Sequence, residues 1–309
     1  MESAPALAGR PLARPMLWHR HPERRHLAPY FLLLPSIALV VALMGYPVVD
    51  LFYIAFHRTS YFRVGAFSWV ANFMPLAGPG GLSSALATLE FVVASVSLML
   101  LFALPLAIAM DAPFRLRGIL RTVALLPWLV SPVVTALLWQ ALVNPSFGPI
   151  PWIAATFGWH FAPLSSPTTA MGVLVIANVW RSYPYALVLL LAAVQAVPTE
   201  LYEAARLDGA SAFQEMWFIL LPYISRTIGV VTILITFESL TNVTLPLIIS
   251  DGGPNNATNV YALRVLNEAF TNYHFGVAAA IGVIIFLLNL GIVISSIRNF
   301  IAREHSRVS

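Results

Sequence analysis

An all-α integral membrane protein with six transmembrane helices is the fold class this sequence predicts, and three observations lead there. Of the 309 residues, 59% are hydrophobic and only 10% are charged, against roughly 25% charged in ordinary soluble domains, which excludes a soluble globular enzyme. The mean hydropathy is +0.81, and the apolar residues gather into six runs, each long enough to cross a bilayer core that takes roughly 20 helical residues. Arginine supplies all 17 basic residues, with no lysine. These arginines form short clusters beside the apolar runs and no basic face, so they act as topology signals and not as a nucleic-acid footprint. The absence of cysteine removes disulfides, thiolate metal sites and cysteine nucleophiles.

Taken in order, residues 1–26 form a basic tail, and the first span runs from Leu27 to Phe56. Although it follows Arg24-Arg25, it is about twice a normal signal-peptide apolar region and lacks a small-residue cleavage site. The second span runs from Ala85 to Met110, the third from Ile119 to Val143, and the fourth from Thr169 to Val194. The fifth runs from Trp217 to Ile249 and the sixth from Gly276 to Ile301, leaving residues 302–309 as a short tail. The connecting segments of about 28, 8, 25, 22 and 26 residues are too short for a separate folded unit, so residues 27–301 form one membrane domain. Arginines crowd the N-terminal tail (Arg10, Arg14, Arg20, Arg24, Arg25), loop two (Arg115, Arg117, Arg121) and the C-terminal tail (Arg298, Arg303, Arg307). The positive-inside rule then puts both termini in the cytoplasm.

Some chemistry is missing from the chain. A phosphate-binding loop needs a lysine on the nucleotide phosphates, and none is present. The histidines include no pair at metal-binding helical spacing, and His19, His21 and His26 lie in the basic tail. No catalytic residue and no metal site are expected.

Loop four, which faces the cytoplasm in this topology, is ordered like two short helices around a sharp turn. Thr199 is placed to cap the first helix, Gly209 to end it in a left-handed conformation, and Ser211 with Gln214 to form a capping box for the second. The helix carries Glu203, Asp208 and the small residues Ala204 and Ala205, which let another protein approach closely while a carboxylate offers a charge partner.

The stretch from Glu203 to Pro222, Glu-Ala-Ala-x-x-Asp-Gly-Ala followed by Ile219-Leu-Leu-Pro222, resembles the EAA loop of ABC-importer permeases. That resemblance implies a coupling loop at about 198–216 that docks on a separate ATPase, with Glu203 pairing a basic residue there and Gly209 making the elbow. Arg226 departs from the pattern, standing where many members have a second proline. The likeness covers about Leu27 to Phe300 and points to the carbohydrate-uptake branch. Arg121 to Trp128 with Ser131-Pro132 and Trp139, and Asp251-Gly-Gly-Pro254 with Ala269-Phe270, resemble the maltose-permease-like first subunit. The large extra outer domain of the enterobacterial maltose subunit is absent. The resemblance implies alternating access and a set of partners: a second six-span permease subunit, two copies of a cytoplasmic ABC ATPase that binds ATP and Mg, an extracellular or periplasmic solute-binding protein, and a sugar. The permease itself would hold no cofactor and would sit in a bacterial or archaeal cytoplasmic (inner) membrane.

Ionisable groups inside a span are costly and mark functional candidates. On span four, Asn178, Arg181, Ser182 and Tyr185 fall at i, i+3, i+4 and i+7, one helical face, with Arg181 well inside the span. On span five, Glu238, Ser239 and Asn242 make a second polar stripe, with Glu238 near the middle. Two stripes at similar depth suggest a shared cavity. A buried Arg181–Glu238 ion pair that merely joins the helices weighs about equally on physics alone. The resemblance adds weight to a sugar pocket, since it aligns both stripes with the maltose permease's sugar-contacting stretches. It implies identity at Asn178, Tyr185 and Asn242 and altered selectivity at Arg181, Ser182 and Glu238. The alternatives are the same importer class carrying a sugar phosphate, a glycerol phosphodiester or an acidic sugar, for which Arg181 supplies positive charge, and, more remotely, an autonomous secondary transporter.

Overall fold

The computed structural model describes residues 28–308 apart from 62 and 114. The expectations for the N-terminal tail, including its arginines and histidines, and for Leu27 lie outside the described residues. Contacts divide the chain into residues 1–49 and 50–309. In the first unit, α1 (Ala28–Val40) continues into a π-helical turn (Val41–Gly45). Helix α2 (Tyr46–Ala55) carries the chain into the second.

Within residues 50–309 the expected first outer loop holds an antiparallel hairpin, β1 (His57–Ser60) with β2 (Arg63–Phe67), and a short helix α3 (Met74–Ala77). Asn72 ties this region together by donating to the carbonyls of Ala55 and His57 at 2.9 and 2.7 Å. Next come α4 (Pro79–Asp111), α5 (Arg117–Leu129), α6 (Pro132–Leu142), the short α7 (Pro149–Thr156) within the expected third loop, and α8 (Pro167–Gln195). The elbow contains α9 (Thr199–Leu207) and α10 (Ala212–Gln214), which leads through a π segment (Glu215–Leu220) into α11 (Leu221–Thr241). Helices α12 (Thr244–Ile249), α13 (Tyr261–Leu266) and α14 (Phe275–Val308) complete the chain.

Among the described residues, five helical stretches are long and apolar enough to cross a bilayer, or six if the pair α5 and α6 counts as one span. That pair covers the expected third span from Ile119 to Val143, and its two halves meet at 95°. Val130 and Ser131 are extended, Ser131 caps α6 by accepting from the Val134 amide at 3.3 Å, and Pro132 opens the helix. A cap residue followed by proline starts a new helix, and the residue before proline is driven out of the helical region. The fifth span is likewise broken. Pro246 has no amide proton for the Asn242 carbonyl and its ring would clash there, so α11 stops at Thr241 and Asn242 turns extended.

The core forms where α4 packs along α8. Ala103 and Ala107 of α4 and Ala177 and Ala186 of α8 are fully buried with Phe91, Met99 and Leu190 around them. Small residues let helices approach closely in lipid, where association rests on packing and not on a hydrophobic drive. Helix α11 adds Ile224, Val231 and Ile235. Helix α6 meets α12, where Gln140 donates to the Ile248 carbonyl at 2.6 Å. This three-helix core of α4, α8 and α11 fixes the rotation of α8 against α11.

Candidate functional site

The polar residues of α8 and α11 meet in one hydrogen-bonded network. Asn178 and Ser182, four residues apart and fully buried on α8, face Ser239 and Glu238 of α11. The Asn178 side chain donates to Ser239 Oγ at 3.2 Å and accepts from Asn242 Nδ2 at 3.0 Å. Ser182 Oγ donates to Glu238 Oε1 at 2.7 Å. Arg181 donates through Nη1 to the same Glu238 oxygen, forming an ion pair, and to Ser182 Oγ at 3.3 Å. Asn242 Oδ1 accepts from the Leu245 amide at 3.3 Å, so this residue links the network to the first turn of α12.

Two features leave the network chemically open. Both bonds to Glu238 land on Oε1, so among the described residues Oε2 has acceptor capacity to spare, and the Glu238 side chain is 30% exposed while Arg181 is 16%. Arg181 Nε is buried without a partner, an unmet donor that costs about 1–3 kcal/mol. A hydroxyl group that enters the site can donate to Oε2, whereas Nε is covered by the protein.

The helical positions differ from the expectation. Arg181 is the middle residue of α8, and Glu238 lies three residues before the end of α11, not near mid-span. Asn242 stands outside the helix in the break, so it reaches Asn178 from an extended backbone and not from the helical i+4 position. Tyr185 lies one turn further along α8, outside the network. Its ring lies 5.9 Å from Trp128 of α5 at 30°, which brings the bent third span to the edge of the site.

The elbow holds the second group of candidate residues. Gly209 has φ +81°, a left-handed conformation that disfavours a side chain. The Ala210 amide donates to the Ala205 carbonyl at 2.9 Å and the Gly209 amide to the Arg206 carbonyl at 3.1 Å, the paired bonds of a Schellman cap. Ser211 and Gln214 form the expected capping box, with the Ser211 amide donating to Gln214 Oε1 at 2.8 Å. Thr199 does not cap α9, which corrects the expectation. It is the first helical residue, after Pro198, and Pro198 offers no side-chain cap. Glu203, Ala204, Asp208 and Gly209 are exposed and Ala205 is half-buried. Leu207 is 89% exposed beside them, an apolar residue that sequence reasoning missed and that alternation of polar and apolar positions on α9 could have flagged. Burial, and then the Asp111 and Glu215 carboxylates, hold the Tyr202 hydroxyl above its ordinary pKa. Ser211→Ala should weaken the elbow by about 1 kcal/mol and speed amide exchange at Ser211 and Gln214 about fivefold. Unchanged exchange would mean that the box contributes nothing.

A third polar group escaped the sequence reading. Arg264 of α13 donates to the Gly80 carbonyl and to Ser84 Oγ at 3.2 Å and pairs with Glu268 at 3.4 Å, while Glu268 also meets His274 at 3.0 Å. Gly80, Arg264 and Glu268 border a cavity of about 540 Å³. Only the i, i+4 spacing of Arg264 and Glu268 signals it in the sequence.

The family model described as "Binding-protein-dependent transport system inner membrane component" matches residues 99–306. The chain is 32% identical over 272 residues to the trehalose/maltose transport system permease protein MalF of Thermococcus litoralis, covering 86% of this chain and 90% of that protein. It is 31% identical over 283 residues to the sn-glycerol-3-phosphate transport system permease protein UgpA of Brucella abortus, covering 90% of this chain and 96% of that one. In fold it is similar to a chain of a bacterial alginate ABC transporter solved with an alginate pentasaccharide-bound periplasmic protein, at a TM-score of 0.75 and 22% identity, covering 87% of this chain and 92% of that one.

Proposed function

Because the chain belongs to the family of binding-protein-dependent transport system inner membrane components, a family of multi-pass membrane proteins, we propose that it is the permease subunit of an ATP-driven ABC importer for a carbohydrate. The observation that carries the substrate side is the network of Asn178, Arg181, Ser182, Glu238, Ser239 and Asn242, which gathers amides, hydroxyls and opposite charges in a region where polar groups are expensive. Such groups pair with sugar hydroxyls. The aromatic pair Trp128 and Tyr185 adds an apolar face of the kind that stacks on sugar rings, with a hydroxyl at its tip.

The ion pair bears on which carbohydrate is carried. Glu238 neutralises Arg181 inside the site, which favours a neutral, polyhydroxylated ligand such as a disaccharide, oligosaccharide or polyol. The second reading, a sugar phosphate, glycerol phosphodiester or acidic sugar, is favoured by the likeness to the glycerol-3-phosphate permease. It requires an anion to displace Glu238 from Arg181.

In this reading the cytoplasmic partner is an ABC ATPase, present in two copies and itself holding ATP and Mg, and it docks on α9. Exposed Glu203 and Ala204, half-buried Ala205, the Asp208–Gly209 turn and the 89% exposed Leu207 support docking there. A second six-span subunit completes the pathway, and a solute-binding protein delivers the sugar on the opposite face. The clustering of arginine supports cytoplasmic termini.

The test is ATP hydrolysis by the complex reconstituted with its second permease, ATPase and binding protein, screened against neutral disaccharides, polyols and anionic sugars. Neutral ligands should stimulate hydrolysis. Stimulation confined to anionic sugars would select the second reading, and ATP-independent flux through the isolated chain would replace the importer with an autonomous transporter.

A further inference from the structure

The elbow is locked to span five by one specific ion pair. Arg206 sits in the last turn of α9, and Glu215 is the first residue of the π segment that leads into α11. Their contact is two-pronged. Arg206 Nε donates to Glu215 Oε1 at 2.8 Å and Nη2 to Oε2 at 3.2 Å, the fork geometry that fixes orientation as well as distance. The bond to Glu215 raises the Arg206 pKa further above its ordinary value. The Glu215 side chain is 10% exposed while Arg206 is 66% exposed, so the carboxylate is largely covered and the guanidinium reaches it from the solvent side.

The surroundings make this pair a joint. Helix α9 packs mainly against the π segment. A cavity of about 600 Å³, bordered by Asp111 at the end of α4, Gln195 at the end of α8, and Tyr202, Arg206 and Glu215, separates the elbow from the ends of α4 and α8. The Schellman cap at Gly209 and the capping box at Ser211 hold the turn between α9 and α10 rigid. From Ala212 to Thr241 the chain is continuously helical, and Glu238 lies near its far end. A push on α9 is therefore passed through the turn and the ion pair to span five.

We propose that Arg206 and Glu215 are positioning residues that make α9 and span five one moving piece, so that displacement of the docking helix reaches Glu238 and Asn242. This rests on the reading of α9 as the ATPase-docking helix. Breaking the pair leaves α9 joined to span five only through the turn, while its other end stays anchored to α8 by buried Val197, so the ATPase stays docked while span five no longer follows it.

The experiment uses the complete reconstituted transporter, with a ligand found to stimulate the wild type, and compares Arg206→Ala, Glu215→Gln and the exchange Arg206→Glu with Glu215→Arg. The readouts are ATP hydrolysed, sugar moved and complex recovered by co-purification. In each single variant the complex assembles and hydrolyses ATP, and sugar moved per ATP falls about fivefold or more, the lower end of ordinary coupling between sites. The exchanged pair recovers at least about half of the loss, as expected where the lost term is the pairwise one. Wild-type transport per ATP in Glu215→Gln, the mildest change in shape, overturns the proposal, as does failure of the exchange to improve on the singles in complexes that assemble. A complex lost from co-purification in both single variants also overturns it, because the pair then holds the assembly together and transmits nothing separable. If wild-type protein shows no ATP-linked uptake at all, the importer reading fails instead.

Discussion

Arg181→Ala is expected to abolish ligand stimulation of ATP hydrolysis, lowering it at least about tenfold, the equivalent of about 1.4 kcal/mol of lost recognition. The same change leaves Glu238 without the cation that now holds it. An uncompensated charge in a buried site costs about 3 kcal/mol or more, so the assembled complex should also unfold at a lower temperature. Glu238→Gln should be milder in stability, since the amide oxygen still accepts from Arg181 and from Ser182 Oγ, the two donors now on Oε1. The decisive variant is the double change Arg181→Leu with Glu238→Leu. Replacing a buried ion pair by apolar residues is often neutral for stability, so the double variant should regain thermal stability and still fail to respond to ligand. Ligand stimulation restored together with stability would reduce the pair to a structural link between α8 and α11, and the sugar pocket would have to lie elsewhere.

The second large effect is expected at Glu203. Its side chain is exposed on α9 and contributes little to the fold, where surface changes usually stay within about 0.5 kcal/mol. A charge-assisted hydrogen bond to a basic residue of the ATPase is worth about 1.5–3 kcal/mol. Glu203→Ala should accordingly leave the thermal stability of the permease unchanged while ligand-driven uptake falls at least about tenfold. Leu207→Asp should release the ATPase more completely, because it puts a charge where an apolar residue stands 89% exposed. Uptake at wild-type rate in Glu203→Ala, with the ATPase still bound, would move the docking contact away from this residue. These outcomes differ from those of the Arg206–Glu215 joint, where the ATPase remains bound and only transport per ATP declines.

Much of the architecture is legible in the chain because it depends on local physics. The apolar runs at α4, α8 and α14 are long enough that their helical ends differ from expectation by at most seven residues. The elbow is legible for the same reason, since Gly209, Ser211 and Gln214 act on backbone groups a few positions away. The two breaks are also written in the sequence. Ser131-Pro132 is a helix-start signal, and Pro246 forbids the helix that hydropathy alone extends to Ile249. Hydropathy averages over a window and is blind to a single missing amide proton.

The composition, the six apolar runs and the arginine bias determined by themselves that this is a membrane protein of helices, and the residues of loop four determined its helix-turn-helix elbow. What only the tertiary structure decided is which polar groups meet. Arg181 and Glu238 are 57 residues apart, Asn178 and Asn242 are 64 apart, and Arg206 reaches Glu215 around a turn. No periodicity encodes such pairings. They depend on the relative rotation and depth of α8 and α11, which are set where small residues let α4 and α8 close together and Val231 and Ile235 of α11 pack against them. A displacement of one residue along either helix turns a side chain by about 100°, and the network would then face lipid instead of its partner.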